Sequence, residues 1–203
     1  MTATLDHSTD RTPALGFEST VPRRLVHRRS IAEAFVTECI STEIQDRFIL
    51  GAQWPRTHTF YEPVAGRHDT MLLAETLRQS AIYLAHTRYR VPLTSRFVMQ
   101  RIHVKARTNM LQIGNSPADV RIDATVSGVL RSSPALKQFT VNLQFIIDGK
   151  IVGTGLGIAN VMTSKTYDRL RWRTRQQHDV GPASARNPSN HALWDERDPR
   201  TSF

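Results

Sequence analysis

The chain has 203 residues, of which 39% are hydrophobic, so it is long enough for one well-packed domain with tails and too short for two full domains. Its single cysteine, Cys39, excludes an internal disulfide, and the absence of an apolar run of about 18 residues or of a signal-like N-terminus predicts a cytoplasmic protein outside the membrane. The formal net charge is +9, but only four of the 27 basic residues are lysine, and many arginines flank the apolar region. This distribution favours a solvated basic surface, or the attraction of an acidic carrier protein or a phosphorylated substrate, over nucleic-acid binding.

The N-terminal third of the chain predicts a disordered lead-in followed by short strands. Residues 1–20 mix Thr, Ser, Asp, Pro and Gly without a repeating apolar face, which is typical of disorder. Three stretches then have strand composition, RRLVHR at 23–28, AFVTECI at 34–40 and RFILGAQW at 47–54. A polar loop, PRTHTFYEPVAGR, follows them.

The next segment, from His68 to Tyr89, is predicted to form one long helix that is apolar on nearly every side, with Asp69 as its N-cap and Pro92 preventing continuation. Four polar residues nevertheless share one face, because they recur at three- and four-residue steps with Ile82 between them. This polar stripe consists of Glu75, Arg78, Gln79 and His86. A buried carboxylate needs compensation, so Glu75 is neutral, paired with Arg78, or facing a polar cavity, and the last option means a site.

Beyond Pro92 the apolar period changes from helical spacing to strict alternation. Long half-buried strands are predicted from FVMQRIHVKAR (97–107), DVRIDATVSGVL (119–130), FTVNLQFII (139–147) and IVGTGLGIANVM (151–162). Asp148 and Gly149 predict a type I′ hairpin turn, and the glycines of the last strand loosen it or permit close backbone approach. Tyr167 to Gln177 predicts a short basic helix before an irregular tail.

These elements predict an α+β fold in which an antiparallel sheet wraps around one long central helix. A helix on one face of an open sheet is simpler, but it does not explain a helix that is apolar nearly all round. We expect residues 1–20 to be disordered, residues 21–166 to form the domain, and residues 167–203 to supply the basic helix and tail.

The loop and the helix together supply candidates for acid/base chemistry on thioesters or acyl groups, namely His58, His68 and Glu75. Arg78 either neutralises Glu75 as a buried ion pair or holds a phosphate or acyl oxygen. Gln79 is a candidate for positioning, whereas His86, near the helix C-terminus, is interpreted as a surface or edge residue.

Other site chemistries find little support in the residues. The histidines and the single cysteine do not have zinc-ligand spacing, there is no phosphate-binding loop motif, and GTGLGIAN departs from the dinucleotide fingerprint. Cys39 lies in an apolar stretch and is interpreted as a small core residue. We therefore expect no metal and no cofactor.

Several motifs resemble the AfsA, or A-factor biosynthesis, family, which makes γ-butyrolactone signalling molecules in high-GC bacteria. They are VHR at 26–28, AQWPRTHTFY at 52–61, GRHD at 66–69, LLAETLRQSAIYLAH at 72–86, YRVPL at 89–93 and YDRLR at 167–171. The resemblance covers about residues 23–171.

The resemblance implies a hotdog fold, related to acyl-carrier-protein dehydratases and acyl thioesterases. It also implies transfer of a β-ketoacyl group from an acyl thioester, carried by acyl carrier protein, to dihydroxyacetone phosphate. In that picture Glu75 is the base or orients the hydroxyl, Arg78 stabilises the substrate phosphate or the oxyanion, and His58 corresponds to the loop histidine of hotdog dehydratases. Arg56, His68 and Gln79 are the expected substrate-binding residues.

The chain departs from the resembled family in length. Family members usually carry two hotdog repeats, and nothing after Arg171 repeats the WPR-x-H or E-x-x-R-Q motifs. We therefore expect a homodimer or pairing with a separate hotdog repeat. The alternatives are a noncatalytic module that binds an acyl ligand or a partner, and a dehydratase or thioesterase of secondary metabolism.

Overall fold

The computed structural model of the chain describes residues 14–132 and 135–178. It contains the strands β1 (Val36–Ser41), β2 (Arg47–Trp54), β3 (Arg96–Ala106), β4 (Ala118–Ser132), β5 (Ala135–Ile147) and β6 (Lys150–Met162), and the helices α1 (Met71–Thr87) and α2 (Ser164–His178). The chain divides into two compact units, the first ending at Ser164 and the second beginning at Lys165. Most of the predicted disordered segment, 1–13, and the predicted tail beyond 178 lie outside the described residues.

All six strands of the first unit form one antiparallel sheet in the order β1-β2-β4-β5-β6-β3. The register places Leu50 opposite Ile122 and Ile122 opposite Phe145, and all three side chains are completely buried. Because side chains alternate between the two faces of a strand, this row and its neighbours form one continuous apolar face.

Helix α1 packs on that apolar face and contacts β1, β2, β3, β5 and β6. Its approach is closest at β6, where a Cβ added to Gly155 or Gly157 would lie 2.6 Å from a carbon of Leu77. The glycines of β6 therefore permit close backbone approach, which was one of the two expectations for them. The predicted α+β architecture, with the sheet around a buried central helix, is confirmed.

Local signals predicted the ends of these elements well. Asp69 Oδ1 accepts a hydrogen bond from the Met71 amide at 2.8 Å and so caps the first amide of α1, although the residue at the N-cap position is Thr70, whose side chain makes no capping hydrogen bond. Asp148 and Gly149 have φ angles of 48° and 72°, and both signs are those that a type I′ turn requires. The predicted basic helix is present as α2. Among the described residues, no helix is both long and apolar enough to span a membrane.

The strand predicted at 23–28 is wrong. Arg23–Val26 forms a short 3-10 helix that follows Pro22, and His27 then adopts a left-handed conformation with φ of 53°. Val26 is the buried residue of this helix, so the segment lacks the alternate burial of a strand. The turn at His27 directs the following residue, Arg28, toward α1, where it contacts Glu75.

Candidate functional site

The polar stripe of α1 is covered by residues 22–35, which we call the covering segment. Arg78 Nη2 donates to the Val26 carbonyl at 3.3 Å. Gln79 Nε2 donates to the Glu33 carbonyl at 2.7 Å, and Gln79 Oε1 accepts from the Phe35 amide at 2.8 Å. The stripe thus satisfies backbone groups of a segment that precedes β1 and is irregular apart from two short 3-10 helices.

Glu75 lies at the centre of the stripe and is only 7% exposed. Its Oε1 accepts from Arg28 Nε at 2.9 Å, from Arg78 Nη2 at 2.9 Å and from Gln79 Nε2 at 2.7 Å, and it lies 2.6 Å from Arg28 Nη2. Its Oε2 accepts from Arg78 Nε at 3.0 Å. Of the three states expected for this carboxylate, the structure shows pairing with Arg78, and it adds Arg28 as a second cation.

These contacts keep Glu75 ionised. Burial by itself opposes the charge, but hydrogen bonds from Arg78 and Arg28, the charge of Arg78 and the Gln79 amide together lower the pKa of Glu75 below its ordinary value. The Glu75 hydrogen bond and charge likewise raise the pKa of Arg28, although burial acts against it. A carboxylate with a lowered pKa and this many donors is a weak proton acceptor, so the geometry favours Glu75 as the anchor of two guanidinium groups over Glu75 as a general base.

The two cations are less enclosed than the carboxylate they share. The side chains of Arg28 and Arg78 are 25% and 24% exposed. Glu33 Oε2 lies 3.4 Å from Arg28 Nη1, but its side chain is 44% exposed. Burial and the nearby charge of Glu75 raise the pKa of Tyr61, while Arg28 acts in the opposite direction, so the Tyr61 phenol borders the same ions and stays protonated. We call Glu75, Arg28, Arg78, Gln79 and Tyr61 the Glu75 cluster.

His58 reaches this cluster through aromatic contacts. Its ring centroid lies 4.9 Å from that of Tyr61 and 5.6 Å from that of Phe35. The Phe60 amide donates to His58 Nδ1 at 3.0 Å, which in a neutral imidazole leaves the hydrogen on Nε2. In this arrangement His58 offers a hydrogen-bond donor at Nε2. A role as general base requires the other tautomer.

His68 and Arg56 have no contact with the Glu75 cluster among the described residues. His68 is 5% exposed, its ring packs edge-on to Trp54 at 5.7 Å, and its Nε2 has no hydrogen-bond partner in the described part of the chain. Burial lowers the pKa of His68 and keeps it neutral. Arg56 is exposed in the loop. Their substrate-binding roles stay predictions.

Gln79 is fully buried, and its amide is bonded to Phe35, Glu33 and Glu75. Both amide hydrogens are therefore used within the protein. This arrangement favours the positioning role expected from its place on the helix, because it leaves no donor for a substrate. Direct substrate binding by Gln79 stays a prediction.

The interpretation of His86 as a surface or edge residue is wrong, because this residue is only 9% exposed. Its Nδ1 lies 2.7 Å from the Val91 carbonyl, and its Nε2 lies 2.9 Å from Nε2 of His27. Burial lowers the pKa of both imidazoles, to about 4 for His27, where the neighbouring His86 lowers it further. Two neutral rings thus attach the covering segment to the end of α1.

Arg28 and Tyr61 belong to the site, although the sequence alone did not predict them as site residues. Both lie inside family-like motifs, VHR and AQWPRTHTFY. Arg28 lies in a stretch with strand composition, among the arginines that flank the apolar region, and no local pattern indicates its contact with a residue 47 positions away. Within the described residues, no group of three or more His, Cys, Asp or Glu residues is placed to hold a metal ion.

A separate polar depression of about 1240 Å³ lies over the sheet and does not involve the predicted site residues. Its lining includes Asp123, Gln144, Thr154 and Lys105, which occupy four different strands. Gln144 and Thr154 are exposed, whereas their sequence neighbours Leu143 and Gly153 are buried, so the depression is on the face away from α1. The chemistry of the Glu75 cluster is therefore not shared with this surface.

Comparison with known proteins gives one family match and several enzyme relatives. The profile of the AfsA family, described as an A-factor biosynthesis hotdog domain, matches residues 9–163. A 2-oxo-3-(phosphooxy)propyl 3-oxoalkanoate synthase from Streptomyces virginiae is 35% identical over 153 residues, which are 75% of this chain and 52% of that enzyme. The enzyme of the same name from Streptomyces coelicolor is 31% identical over 74% of this chain and 48% of its own length.

The chain spans about half the length of the enzymes that it matches. Among solved structures, a hot-dog-like protein from Thermanaerovibrio acidaminovorans is 15% identical, with a TM-score of 0.47 over 63% of this chain and 89% of that protein.

Proposed function

The chain belongs to the A-factor biosynthesis hotdog domain family, and on that premise we propose that it moves a 3-oxoacyl group, that is, a β-ketoacyl group, from an acyl thioester to a hydroxyl of dihydroxyacetone phosphate. The observation that carries the proposal is the 35% identity to a 2-oxo-3-(phosphooxy)propyl 3-oxoalkanoate synthase over three quarters of the chain. The name of that enzyme describes its product, which is the ester that the proposed reaction yields. This ester would serve the synthesis of γ-butyrolactone signalling molecules.

The reaction exchanges a thioester for an oxygen ester. The hydroxyl oxygen of the acceptor attacks the thioester carbonyl, the C–S bond breaks as the C–O bond forms, and the hydroxyl proton leaves with the thiol. Negative charge develops on the carbonyl oxygen and must be stabilised by positioned donors. We assign this task to His58 Nε2–H, and we assign Arg78, whose orientation Glu75 fixes, to substrate binding.

We further propose that the chain acts together with a second hotdog unit, because the related enzymes are about twice as long as the matched part of this chain. We propose that a second copy of this chain, or another hotdog unit, joins the sheet at β3. This strand is at the edge of the sheet, is 11 residues long, and exposes Val98 and Ile102 by 36% and 41%. Long edge strands with exposed apolar side chains favour the addition of another strand. Sedimentation of the purified chain tests this, since a monomer at every concentration would contradict pairing.

For the acyl donor we propose a thioester on acyl carrier protein, in the cytoplasm. The formal charge of +9 supports an acidic partner, because opposite net charges accelerate encounter at low ionic strength. The corresponding expectation is that the KM for the carrier-bound donor rises with added salt, whereas the KM for a small, uncharged thioester stays the same.

The test of the proposed function is the mass of the product formed from a 3-oxoacyl thioester and dihydroxyacetone phosphate by the purified chain. We expect a phosphorylated ester that is lost in Glu75→Gln and Arg78→Gln and kept in Glu62→Gln, a matched change at an exposed loop carboxylate. A free acid in place of the ester would identify a thioesterase, and loss of water from a hydroxyacyl substrate would identify a dehydratase.

A noncatalytic acyl-binding or partner-binding module is the second candidate. The observation that favours it is the enclosure of Glu75, whose oxygens are occupied by donors from the protein itself. In that case the folded chain binds a 3-oxoacyl thioester in a dialysis measurement but releases no thiol in the presence of the acceptor.

A further inference from the structure

Two guanidinium groups meet at one carboxylate oxygen in the Glu75 cluster, although like charges repel each other at short range. Arg28 Nη2 lies 2.6 Å, and Arg78 Nη2 2.9 Å, from Oε1 of Glu75. One arginine comes from the covering segment and the other from α1, so the fold brings them together from separate elements. Glu75 holds both planar groups in fixed positions.

The cluster has more positive than negative charge. Arg28 and Arg78 contribute two positive charges, and buried Glu75 contributes one negative charge. Glu33 adds an ion pair at 3.4 Å, but its side chain is 44% exposed and solvent screens such a pair strongly. The surroundings of the two arginines therefore favour a further anion.

Both arginines also keep donors for that anion. A guanidinium group has five N–H donors, and Glu75 and the Val26 carbonyl engage Arg78 only through Nε and Nη2. Arg28 directs Nε and Nη2 to Glu75, and among the described residues its guanidinium also has the 3.4 Å contact of Nη1 with Glu33 and an interaction with the Tyr61 hydroxyl. About a quarter of each side chain is exposed, so both arginines are in contact with solvent as well as with Glu75.

Tyr61 adds a neutral donor beside the same arginines. It interacts with Arg28, and its raised pKa, caused first by burial and then by Glu75, keeps the phenolic hydrogen in place. A phenol and two guanidinium groups match the several acceptor oxygens of a phosphate group, which arginine binds in bidentate fashion.

We infer that the outer edges of Arg28 and Arg78 form a phosphate-binding subsite, with Arg28 as a substrate-binding residue and Glu75 as the residue that positions both. The inference rests on the proposed function for the identity of the ligand, the phosphomonoester of the acceptor. A doubly charged phosphomonoester suits two cations better than the singly charged phosphodiester of a carrier-bound pantetheine arm, the other source of phosphate in the reaction.

A purely structural role for Arg28 makes a different prediction. If Arg28 only attaches the covering segment to α1, its replacement weakens the fold and leaves phosphate binding by the folded chain unchanged. Arg28→Lys keeps the positive charge beside Glu75 but removes the planar fork. Arg29→Gln is the matched control, since it removes an arginine charge from the adjacent, exposed position.

The experiment is calorimetric titration of the wild-type chain and the three variants Arg28→Gln, Arg28→Lys and Arg29→Gln. The ligands are dihydroxyacetone phosphate, inorganic phosphate, dihydroxyacetone and the pantetheine-loaded carrier, and circular dichroism verifies the fold. We expect both Arg28 variants to bind dihydroxyacetone phosphate and inorganic phosphate at least about tenfold more weakly than wild type, which corresponds to the loss of one charge-assisted contact. Arg29→Gln should bind both as wild type does, and dihydroxyacetone should bind no better to wild type than to the Arg28 variants.

Unchanged affinity for dihydroxyacetone phosphate in a folded Arg28 variant would overturn the inference, as would a wild-type chain that does not bind it. Weakened binding of the loaded carrier alone would overturn the assignment to the acceptor. If Arg28→Gln does not fold, Arg28→Lys decides between the outcomes. Arg28-dependent binding without any ester product would leave the inference standing while the proposed reaction fails.

Discussion

Replacing Gln79 with Met should release the covering segment from α1 while it preserves the volume of the side chain. Gln79 is completely buried, and its amide accepts from the Phe35 amide and donates to the Glu33 carbonyl. Its third hydrogen bond is to Glu75, which keeps other partners in the variant. The change therefore leaves two backbone groups without their side-chain partner.

The cost follows from those two groups. A buried backbone donor or acceptor that loses its partner costs about 1–3 kcal/mol, and a hydrogen bond to a charged carboxylate contributes about as much again. Water that reaches the loosened segment recovers part of the loss. We therefore expect Gln79→Met to lower the free energy of unfolding by about 3 kcal/mol, a large part of the stability of an ordinary domain.

Urea unfolding of the wild type and the variant measures this difference, and amide hydrogen exchange at Phe35 localises it. Ser80→Ala is the matched control, because Ser80 is equally buried on the same helix and its hydroxyl has no hydrogen-bond partner among the described residues. Its stability should change little. A loss below about 1 kcal/mol in Gln79→Met, or faster exchange at Phe35 in Ser80→Ala as well, would refute the reasoning.

Three further changes test other parts of the fold. The pKa of His27 is lowered from 6.5 to about 4, so folding favours its neutral form. The free energy of unfolding should therefore be constant above pH 6.5 and fall as the pH drops toward 4. Urea unfolding at each pH measures this profile, and a flat profile would contradict the prediction. Gly155→Ala places a Cβ 2.6 Å from Leu77, and its melting temperature should fall by an amount equivalent to about 1–3 kcal/mol. His68→Phe keeps an aromatic ring packed on Trp54 and removes a nitrogen that has no partner among the described residues, so the thermal stability of this variant should be unchanged or higher. Loss of ester formation at unchanged stability would support the predicted contact of His68 with substrate. Full activity of the variant would exclude that contact.

The strands after Pro92 were predictable because their burial is a local property. Alternate residues of β5, such as Val141 and Leu143, point to the apolar face, and this period of two is written in the sequence. The hairpin at Asp148 was predictable for the same reason, since the φ angles of a two-residue turn depend on the residues in the turn.

The prediction at 23–28 failed because a short run of valine, leucine and arginine has strand composition without strand pairing. No hydrogen-bonding partner strand exists for this segment in the described sheet. The left-handed turn at His27 is held by the ring of His86, which is 59 residues away along the chain. A contact between residues that far apart has no local signature.

By itself, the sequence determined the long helix, the alternating strands and the presence of a polar stripe that includes Glu75 and Arg78. These features depend on periodic spacing and on residue type. Only the tertiary structure decided that Glu75 is ionised, that Arg28 is its second partner and that His27 is neutral. The physical reason is that the pKa of a buried group depends on desolvation and on charges a few ångströms away, and those distances are set when distant segments pack together.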